Sequence, residues 1–315
     1  MTAQHPATPP TARTAATPHD PPSAAPAAGS DPRSTHAETA ALLAPLFAPA
    51  PPPFALIRRE GADEFDLLFG DVIEVDTLDD IPLPELSGSD EPRHDVLALV
   101  PYRQIRERGF EAYDDGTPLR CLRVTAQASL PFAEVLAALP DTPVTLTGGG
   151  FDVDDTAYAA IVERVIAEEI GRGEGANFVV RRDYRDRLVD YSPATAGTLL
   201  RRLLTRESGA YWTYLIHTGD LTLVGASPER HVSAIGGEVV MNPISGTYRY
   251  PADGPDREGL LRFLRDGKEV DELFMVVDEE LKMMSEVCDL GGQVLGPYLK
   301  EMGHLAHTEY VLRGQ

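Results

Sequence analysis

Carboxylates are crowded into one segment near the carboxyl end of the chain. Residues 266–289 contain nine acidic residues and two lysines. Glu269, Glu272 and Glu279 share one face at helical spacing, so two or three carboxylates point the same way. One or two such carboxylates, together with waters and a substrate oxygen, suit Mg²⁺. A solvated helix face is the competing interpretation of the same pattern.

A second group of polar residues comprises Glu229 and a short turn that begins sixteen residues later. Pro228 stiffens the approach to Glu229, which enters a run otherwise made of packing residues. Ser245, Gly246 and Thr247 offer hydroxyls and backbone N–H groups that can receive a carboxylate. A glutamic acid facing such a turn acts as a general acid if burial raises its pKa. A strand end followed by a hairpin loop explains the same residues without chemistry.

Hydrophobic periodicity predicts the elements that position these residues. A helix is predicted over residues 268–288, because apolar residues recur there at 273, 276, 277, 281, 284 and 288. Four short β-rich runs separated by turns predict an antiparallel meander over residues 211–241. Helix and strand runs do not alternate strictly along the chain, so the sequence predicts an α+β fold.

Further elements are predicted upstream of the meander. Residues 155–170 carry apolar side chains at the helical interval, with Asp154 or Asp155 as the N-cap. Residues 122–126 and 177–182 have the composition of short strands. A second helix begins after Ser192 and ends near residue 206.

Charge and composition exclude several classes of function. The 28 Lys and Arg against 50 Asp and Glu give a formal net charge of −22. This balance argues against binding of nucleic acid or of an anionic membrane by the molecule as a whole. No apolar run approaches the length of a membrane-spanning helix, and the two cysteines have no metal-binding spacing, so a cytoplasmic protein is expected. Glycines at 148–150 and 171–175 lack the companions of a phosphate loop and are interpreted as turns.

The amino-terminal segment differs in composition from the remainder of the chain. Thirteen of the 27 prolines lie in the first 53 residues. Such a segment buries too little apolar surface to offset its ordering entropy. Residues 1–36 are therefore expected to be a disordered Pro/Ala-rich leader. Helical spacing begins near Thr39, and residues 37–315 are expected to form the folded domain.

Five motifs occur in a fixed order in the second half of the chain. They are GASPE (225–229), NPISGTYR (242–249), KEVDE (268–272), VVDEEL (276–281) and GHL (303–305). This series resembles the chorismate-utilising enzymes, which include the large component of anthranilate synthase and isochorismate synthase. The segments EVDELFMVVDEELKMM (269–284) and GPYLKEMGHLAHTEY (296–310) are similar to the phenazine-pathway branch of that family. In contrast to typical anthranilate synthases, which carry Arg-Asn-Asp there, this chain has LKM at 281–283.

The resemblance implies a fold and a metal. The expected fold is α+β, with antiparallel sheets in a sandwich-like core and helices packed outside. Glu272 matches the family glutamate that binds Mg²⁺, and Glu269 matches its neighbour that lines the metal site. Glu229 matches the proposed general acid that assists departure of the 4-hydroxyl of chorismate. Members of the family continue well beyond the motif GHL, so the chain is expected to be a C-terminally truncated form of the domain.

The resemblance also implies how the substrate and the nucleophile are held. Gly246 and Thr247, with Ser245 in the same turn, match the residues that contact a substrate carboxylate. His304 matches the histidine near the chorismate ring and the departing enolpyruvyl group. Asn177 falls where water-using members place a lysine base and ammonia-using members usually place glutamine. A neutral amide cannot deprotonate water but leaves room for ammonia.

The expected function is Mg²⁺-dependent amination of chorismate at C2. The product is 2-amino-2-deoxyisochorismate, or anthranilate if pyruvate is eliminated afterwards. Neither Cys121 nor Cys288 lies in a glycine-flanked elbow, so ammonia is expected from a glutamine amidotransferase domain or subunit. Two alternatives remain open, namely formation of isochorismate or salicylate, and a non-catalytic remnant that binds a partner subunit. Association into a homodimer is also left open.

Overall fold

The computed structural model describes residues 32–84, 93–175 and 177–315, and for residues 32–35 it describes the backbone alone. The predicted leader lies outside the described residues as far as position 31. Its last five positions do not, because helix α1 (Pro32–Leu43) begins at Pro32 and not near Thr39. Proline is tolerated in the first turn of a helix, where its missing N–H has no partner to lose.

Five more α-helices follow α1 in the described part of the chain. They are α2 (Phe132–Ala138), α3 (Asp155–Arg164), α4 (Pro193–Arg206), α5 (Arg257–Phe263) and α6 (Gly267–Val287). Helix α3 continues as a π-turn and then as a 3-10 turn that ends at Arg172. The predicted N-cap of α3 is confirmed, because the Asp154 carboxylate accepts a hydrogen bond of 2.8 Å from the backbone N–H of Ala157.

Thirteen strands are formed by the described residues. They are β1 (Phe54–Arg59), β2 (Glu64–Val75), β3 (Val96–Leu99), β4 (Leu119–Pro131), β5 (Leu146–Phe151), β6 (Tyr184–Leu188), β7 (Trp212–His217), β8 (Thr222–Ser227), β9 (Arg230–Ile235), β10 (Glu238–Asn242), β11 (Ile244–Arg249), β12 (Gly292–Glu301) and β13 (Leu305–Gly314). The strand predicted at 122–126 lies within β4. The strand predicted at 177–182 is wrong, since β6 begins at Tyr184, where it pairs with Phe151 at the end of β5.

The strands form two large antiparallel sheets and one small one. The first sheet has the order β3-β4-β2-β1-β7-β8, and the small sheet pairs β5 with β6. The second sheet has the order β11-β13-β10-β9, with β12 also paired to β13. Antiparallel sheets joined by helices that do not alternate with the strands confirm the α+β prediction.

The predicted meander is divided between the two large sheets. Its four strands form as expected, but β7 and β8 end the first sheet, whereas β9 and β10 belong to the second. Pro228 lies at the division, between β8 and β9. Because proline has no N–H for a ladder hydrogen bond, it favours the end of a strand over continued pairing.

Each large sheet packs against its own helices. Leu43, Leu56, Val135 and Leu200 belong to the core that joins the first sheet to helices α1, α2 and α4. The second sheet packs against α6 through a smaller core. That core contains Met241, Leu273, Val277, Met284, Cys288, Tyr310 and Leu312. The apolar stripe predicted for residues 268–288 is therefore the face by which α6 lies on the second sheet.

Candidate functional site

Helix α6 begins at a capped end beside the second sheet. The Asp266 carboxylate accepts a hydrogen bond of 2.9 Å from the backbone N–H of Lys268. Side-chain caps of this kind supply a partner for one of the free N–H groups of the first turn. Because the cap fixes where the helix starts and the apolar stripe fixes its rotation, Glu269 and Glu272 are held at the edge of the packed face.

Lys268 lies between these two carboxylates. Its Nζ is 3.1 Å from Glu269 Oε1 and 2.7 Å from Glu272 Oε2. The hydrogen bond to Glu272, followed by that to Glu269, raises the pKa of Lys268, although partial burial opposes the shift. Two carboxylates and one ammonium give a local formal charge of −1. The ammonium of Lys268 lies where a cation can contact both carboxylates.

Residues 245–247, which the sequence predicted as a turn, are instead part of β11, because this segment pairs with β13, with a shift of register between Ile244 and Thr247. The bulge at 245–247 lies directly against Glu269. A Cβ atom at Gly246 would overlap Glu269 Oε2 and would come within 2.9 Å of the Phe263 ring, so a larger residue there would displace the Glu269 carboxylate. Glu269 Oε2 and Ser245 Oγ are both buried, and neither has a hydrogen-bond partner in the described part of the protein. Buried polar atoms without partners are rare in native proteins and are expected where a ligand completes them.

His307 belongs to this group, although the sequence did not single it out. Its Nδ1 lies 3.2 Å from the carbonyl oxygen of Gly246 and 3.1 Å from Thr247 Oγ1. The pairing of Thr247 with His307 across β11 and β13 produces these contacts. His307 was visible in the sequence as the second histidine of HLAH (304–307), but its contact with Gly246 and Thr247 depends on the register between β11 and β13.

His304 lies apart from these contacts. It precedes β13 and its side chain is exposed. Its carbonyl oxygen accepts a hydrogen bond of 3.0 Å from the backbone N–H of Tyr250. This contact fixes the chain beside the end of β11, so the backbone of His304 is placed while its imidazole faces solvent.

Glu229 is brought close to an acid that the sequence did not single out. It lies between β8 and β9 with an exposed side chain. Burial, and after it the charge of Glu229, raise the pKa of Glu280 from 4.5 to about 7. Glu280 was one of the nine acids of the segment, and its spacing from Val277 and Met284 places it within the apolar stripe. A carboxylate at such a position was the signal that could have revealed it.

Asn177 and Glu279 are not joined to the group. Asn177 lies in the loop before β6 with an exposed side chain, and within the described ranges no hydrogen bond connects it to Glu229 or Glu269. Glu279, which was predicted to share a face with Glu269, is instead exposed and pairs with Lys282 at 2.7 Å. The ten residues from 269 to 279 make about 2.8 helical turns, so Glu279 lies about 80° from Glu269 around the axis and away from the sheet.

The residues present are suited to a magnesium ion that is only partly held by protein. In the described part of the chain no three His, Cys, Asp or Glu residues converge as a cage. Mg²⁺, however, usually keeps several waters and binds through one or two carboxylates together with a substrate. Glu269 and Glu272, one turn apart, with the unpartnered Glu269 Oε2 beside Gly246, meet that requirement.

A cavity of about 450 Å³ lies elsewhere, against the first sheet. Its lining includes Phe54, Tyr191 and His217. The cavity is separate from Glu269 and Glu272, because neither residue lines it.

Within the described residues, no helix combines the length and the apolar character needed to cross a membrane.

Comparison with known proteins gives consistent results at three levels. The sequence model of the family described as chorismate binding enzyme matches residues 131–315. A phenazine-specific anthranilate synthase of Pseudomonas chlororaphis is 55% identical over 283 residues, which are 88% of this chain and 44% of the relative. The protein of the same description from Pseudomonas fluorescens is 52% identical over 280 residues, with the same two shares.

Solved structures agree on the fold. The menaquinone-specific isochorismate synthase of Escherichia coli superposes with a TM-score of 0.59 at 15% identity, covering 86% of this chain and 67% of that one. A 2,3-dihydroxybenzoate-specific isochorismate synthase of Bacillus anthracis gives 0.59 at 17% identity, covering 84% and 68%. With 44% of each Pseudomonas relative covered, the chain spans less than half the length of those two proteins.

Proposed function

The chain belongs to the family of chorismate binding enzymes, and from this premise we propose that it serves the amination of chorismate at C2. The product is 2-amino-2-deoxyisochorismate, or anthranilate if pyruvate is eliminated afterwards. The observation that carries the proposal is the 55% and 52% identity, over 88% of the chain, to two phenazine-specific anthranilate synthases. Because the chain spans 44% of each relative, residues 37–315 are proposed to form part of the chorismate-binding domain.

The bulge at 245–247 in β11 is proposed to receive a carboxylate of chorismate. The buried and unpartnered Ser245 Oγ supports this role, as does the close approach of backbone that Gly246 permits. Thr247 Oγ1 lies 3.1 Å from His307 Nδ1, and this contact orients the Thr247 hydroxyl beside Gly246. A substrate carboxylate would supply the partners that these groups lack within the protein.

Glu272 and Glu269 are proposed to hold Mg²⁺ at the first turn of α6. A metal ion held there would supply positive charge to neutralise the ring carboxylate and to draw electrons from the conjugated acid, which would favour attack at C2. The ion pairs of Lys268 Nζ with these two carboxylates, at 3.1 and 2.7 Å, support the role, because they place a cation beside the same two groups. This arrangement reconciles a dianionic substrate with a protein whose net charge is −22.

Glu229 is proposed as the general acid that protonates the departing 4-hydroxyl. Its exposed side chain between β8 and β9 supports the role, because it is accessible to a substrate. His304 is proposed to lie near the enolpyruvyl group. Asn177, neutral at all pH values, is proposed to leave space for ammonia instead of activating water.

Ammonia is proposed to come from a glutamine amidotransferase domain or subunit. Both cysteines are buried and reduced, and burial raises the pKa of the Cys121 thiol. A buried thiol with a raised pKa is a poor nucleophile, so Cys121 is not suited to release ammonia from glutamine. Cys288 is enclosed against Met284, with Sγ 3.2 Å from Sδ, so glutamine has no access to it.

The proposal is tested by incubating the purified protein with chorismate and Mg²⁺, with and without ammonium. Products are separated by liquid chromatography and identified by mass. An amino-substituted product that forms with ammonium alone is expected. Isochorismate formed without ammonium would overturn the amination, and the absence of both turnover and chorismate binding would favour the non-catalytic interpretation.

A further inference from the structure

The cavity on the first sheet opens into the core between that sheet and its helices. Phe54 of β1 lies directly opposite His217 of β7, so the two side chains project from the same face of the sheet. Phe54 and Leu215 belong to the helix-facing core, which identifies this face. Leu46, which follows α1, and Ala196 of α4 also line the cavity. The four apolar residues are at most 3% exposed, so the floor of the cavity is part of the core.

The walls of the cavity are formed by flat rings. Pro49, Pro51 and Pro193 line it together with the rings of Phe54 and His217. The centroids of the Phe54 and His217 rings are 5.9 Å apart, with 34° between their planes. Aromatic rings interact favourably at centroid distances of about 4.5–7 Å. The volume of about 450 Å³ falls within the range of about 300–1,000 Å³ that is usual for small-molecule sites, and walls of this kind suit a flat ligand.

Tyr191 is held at the rim of the cavity by an unusual backbone conformation. Asp190, which precedes it, has a φ of 51°, and no other residue except glycine has a positive φ in the described part of the chain. This conformation is uncommon outside glycine, and where it occurs it is a reason to look for a function. Tyr191 is 49% exposed although it lines the cavity. Its ring is therefore available to a ligand at the mouth.

A chain of hydroxyl groups leaves one hydrogen-bond donor free in the cavity. The Tyr191 hydroxyl donates to Thr222 Oγ1 at 3.5 Å, and Thr222 Oγ1 lies 2.9 Å from His217 Nδ1. Because Thr222 accepts from Tyr191, its own proton is directed to Nδ1, and the neutral imidazole then carries its proton on Nε2. The described residues give Nε2 no hydrogen-bond partner. A ligand with an acceptor would supply that partner.

No uncompensated charge lines the cavity within the described residues. Burial lowers the pKa of His217, although the charge of Asp220 opposes the shift, so the imidazole is neutral at pH 7. Both carboxylate oxygens of Asp220 accept hydrogen bonds of 2.8 Å from Arg120. The described lining contains no lysine or arginine. An ionic ligand would lose its hydration there without gaining a counter-charge, so an uncharged ligand is favoured.

We propose that this cavity is a binding site for an uncharged, flat aromatic molecule that carries one hydrogen-bond acceptor. The ring system lies between Phe54 and the proline rings and contacts Tyr191 at the mouth, and the acceptor receives the Nε2–H of His217. The cavity shares no residue with the acids and the bulge proposed to hold Mg²⁺ and chorismate. It is therefore a second site, and its existence does not depend on the proposed function.

Fluorescence titration with 2-naphthol tests the site without any turnover. This probe is flat, uncharged at pH 7 and emits differently when it leaves water, and the parent is expected to bind one molecule per chain. Ala50 lines the cavity and is exposed, so Ala50→Trp fills the mouth and spares the core; it should weaken binding at least about tenfold. Ala137→Trp, at an exposed alanine of α2, is the matched control and should bind like the parent. The absence of saturable binding by the parent, or equal affinities in the two variants, would overturn the proposal.

Two related probes test the chemistry of the ligand. 2-Naphthoate has the same rings and a negative charge, and it should bind at least about tenfold more weakly than 2-naphthol. Naphthalene lacks the acceptor, and His217→Phe lacks the donor but keeps a ring. In this variant the ratio of the two affinities should shift about three- to tenfold towards naphthalene, because one hydrogen bond is lost. Equal binding of 2-naphthol and 2-naphthoate would contradict an uncharged ligand, and an unchanged ratio in His217→Phe would contradict His217 as the donor.

Discussion

The two large sheets use their buried space differently. The first sheet is joined to its helices by an aliphatic and aromatic core that includes Leu56, Phe65 and Leu200, each fully buried. The second sheet and α6 enclose a smaller apolar core and many polar atoms without partners. In the described part of the chain, six of eight such buried side-chain atoms lie there, on Arg230, Ser245, Glu269, Glu280, Thr308 and Glu309.

The comparison separates a scaffold from a site. An unpartnered buried polar atom costs folding energy, so a group of them persists where something other than stability retains it. Among the described residues, the first sheet and its helices contain few such atoms, and even the buried Thr198 of α4 has a partner, because its Oγ1 donates to the carbonyl of Ala194 at 3.0 Å. We infer that the first sheet is mainly a scaffold and that the second sheet carries the site proposed for chorismate.

Removing a large side chain from the first core should produce the largest effect. Phe65→Ala deletes a ring that is 0% exposed, and such truncations lower the free energy of unfolding by about 3–5 kcal/mol. Urea denaturation followed by fluorescence measures the loss. Phe151→Ala is the control, because that ring is 52% exposed and its removal should cost far less. Equal losses in the two variants would contradict a core-dependent first sheet.

Glu280 should give the second sheet a stability that depends on pH. Its pKa is about 7 in the folded protein against 4.5 for the free side chain, so folding favours its protonated form. That contribution is complete below pH 4.5 and is lost as the pH rises through 7, by up to about 3 kcal/mol. Chemical denaturation of the parent and of Glu280→Gln across this range should therefore diverge as the pH rises. Parallel curves, like those expected for Glu286→Gln at an exposed glutamate of the same helix, would argue against a buried acid.

A smaller loss of stability is expected from a substitution at Gly246, where the backbone of β11 lies close to Glu269. Gly246→Ala places a Cβ against Glu269 and Phe263, and a displacement of this kind costs about 1–3 kcal/mol. Because the displaced carboxylate belongs to the proposed site, chorismate binding should weaken by about tenfold or more while the first sheet is unaffected. Calorimetry measures the affinity, with Gly267→Ala as a control at a glycine that has open space around it. Equal affinities for chorismate in the two variants would show that Gly246 and its neighbours do not contribute to chorismate binding.

Local patterns in the sequence predicted local structure well. The apolar stripe of α6 and the Asp154 cap depend on neighbouring residues, so periodicity and side-chain chemistry were enough to find them. The division of the meander at Pro228 could not be predicted in this way, because membership of a sheet depends on the distant strand β13, which pairs with β10. A helical stripe was also predicted for residues 155–170, yet α3 buries none of its residues.

The acidic site was predictable in part. The motifs placed Glu269, Glu272 and the turn at 245–247 in one interpretation, and the structure brings Glu269 against Gly246. His307 was missed because its contact depends on the register between β11 and β13. Glu280 was missed because the search for a helical stripe counted apolar residues, whereas the informative residue was the acid within the stripe.

The acids at the first turn of α6 are proposed to bind chorismate through Mg²⁺. Calorimetric titration of chorismate into the protein, with and without Mg²⁺, tests it directly when Glu272→Gln and Glu286→Gln are compared. Binding that requires Mg²⁺, weakens by about 10–100-fold in Glu272→Gln and is unchanged in Glu286→Gln is the predicted result. Chorismate binding of equal strength without the metal, or unaltered in Glu272→Gln, would contradict the account.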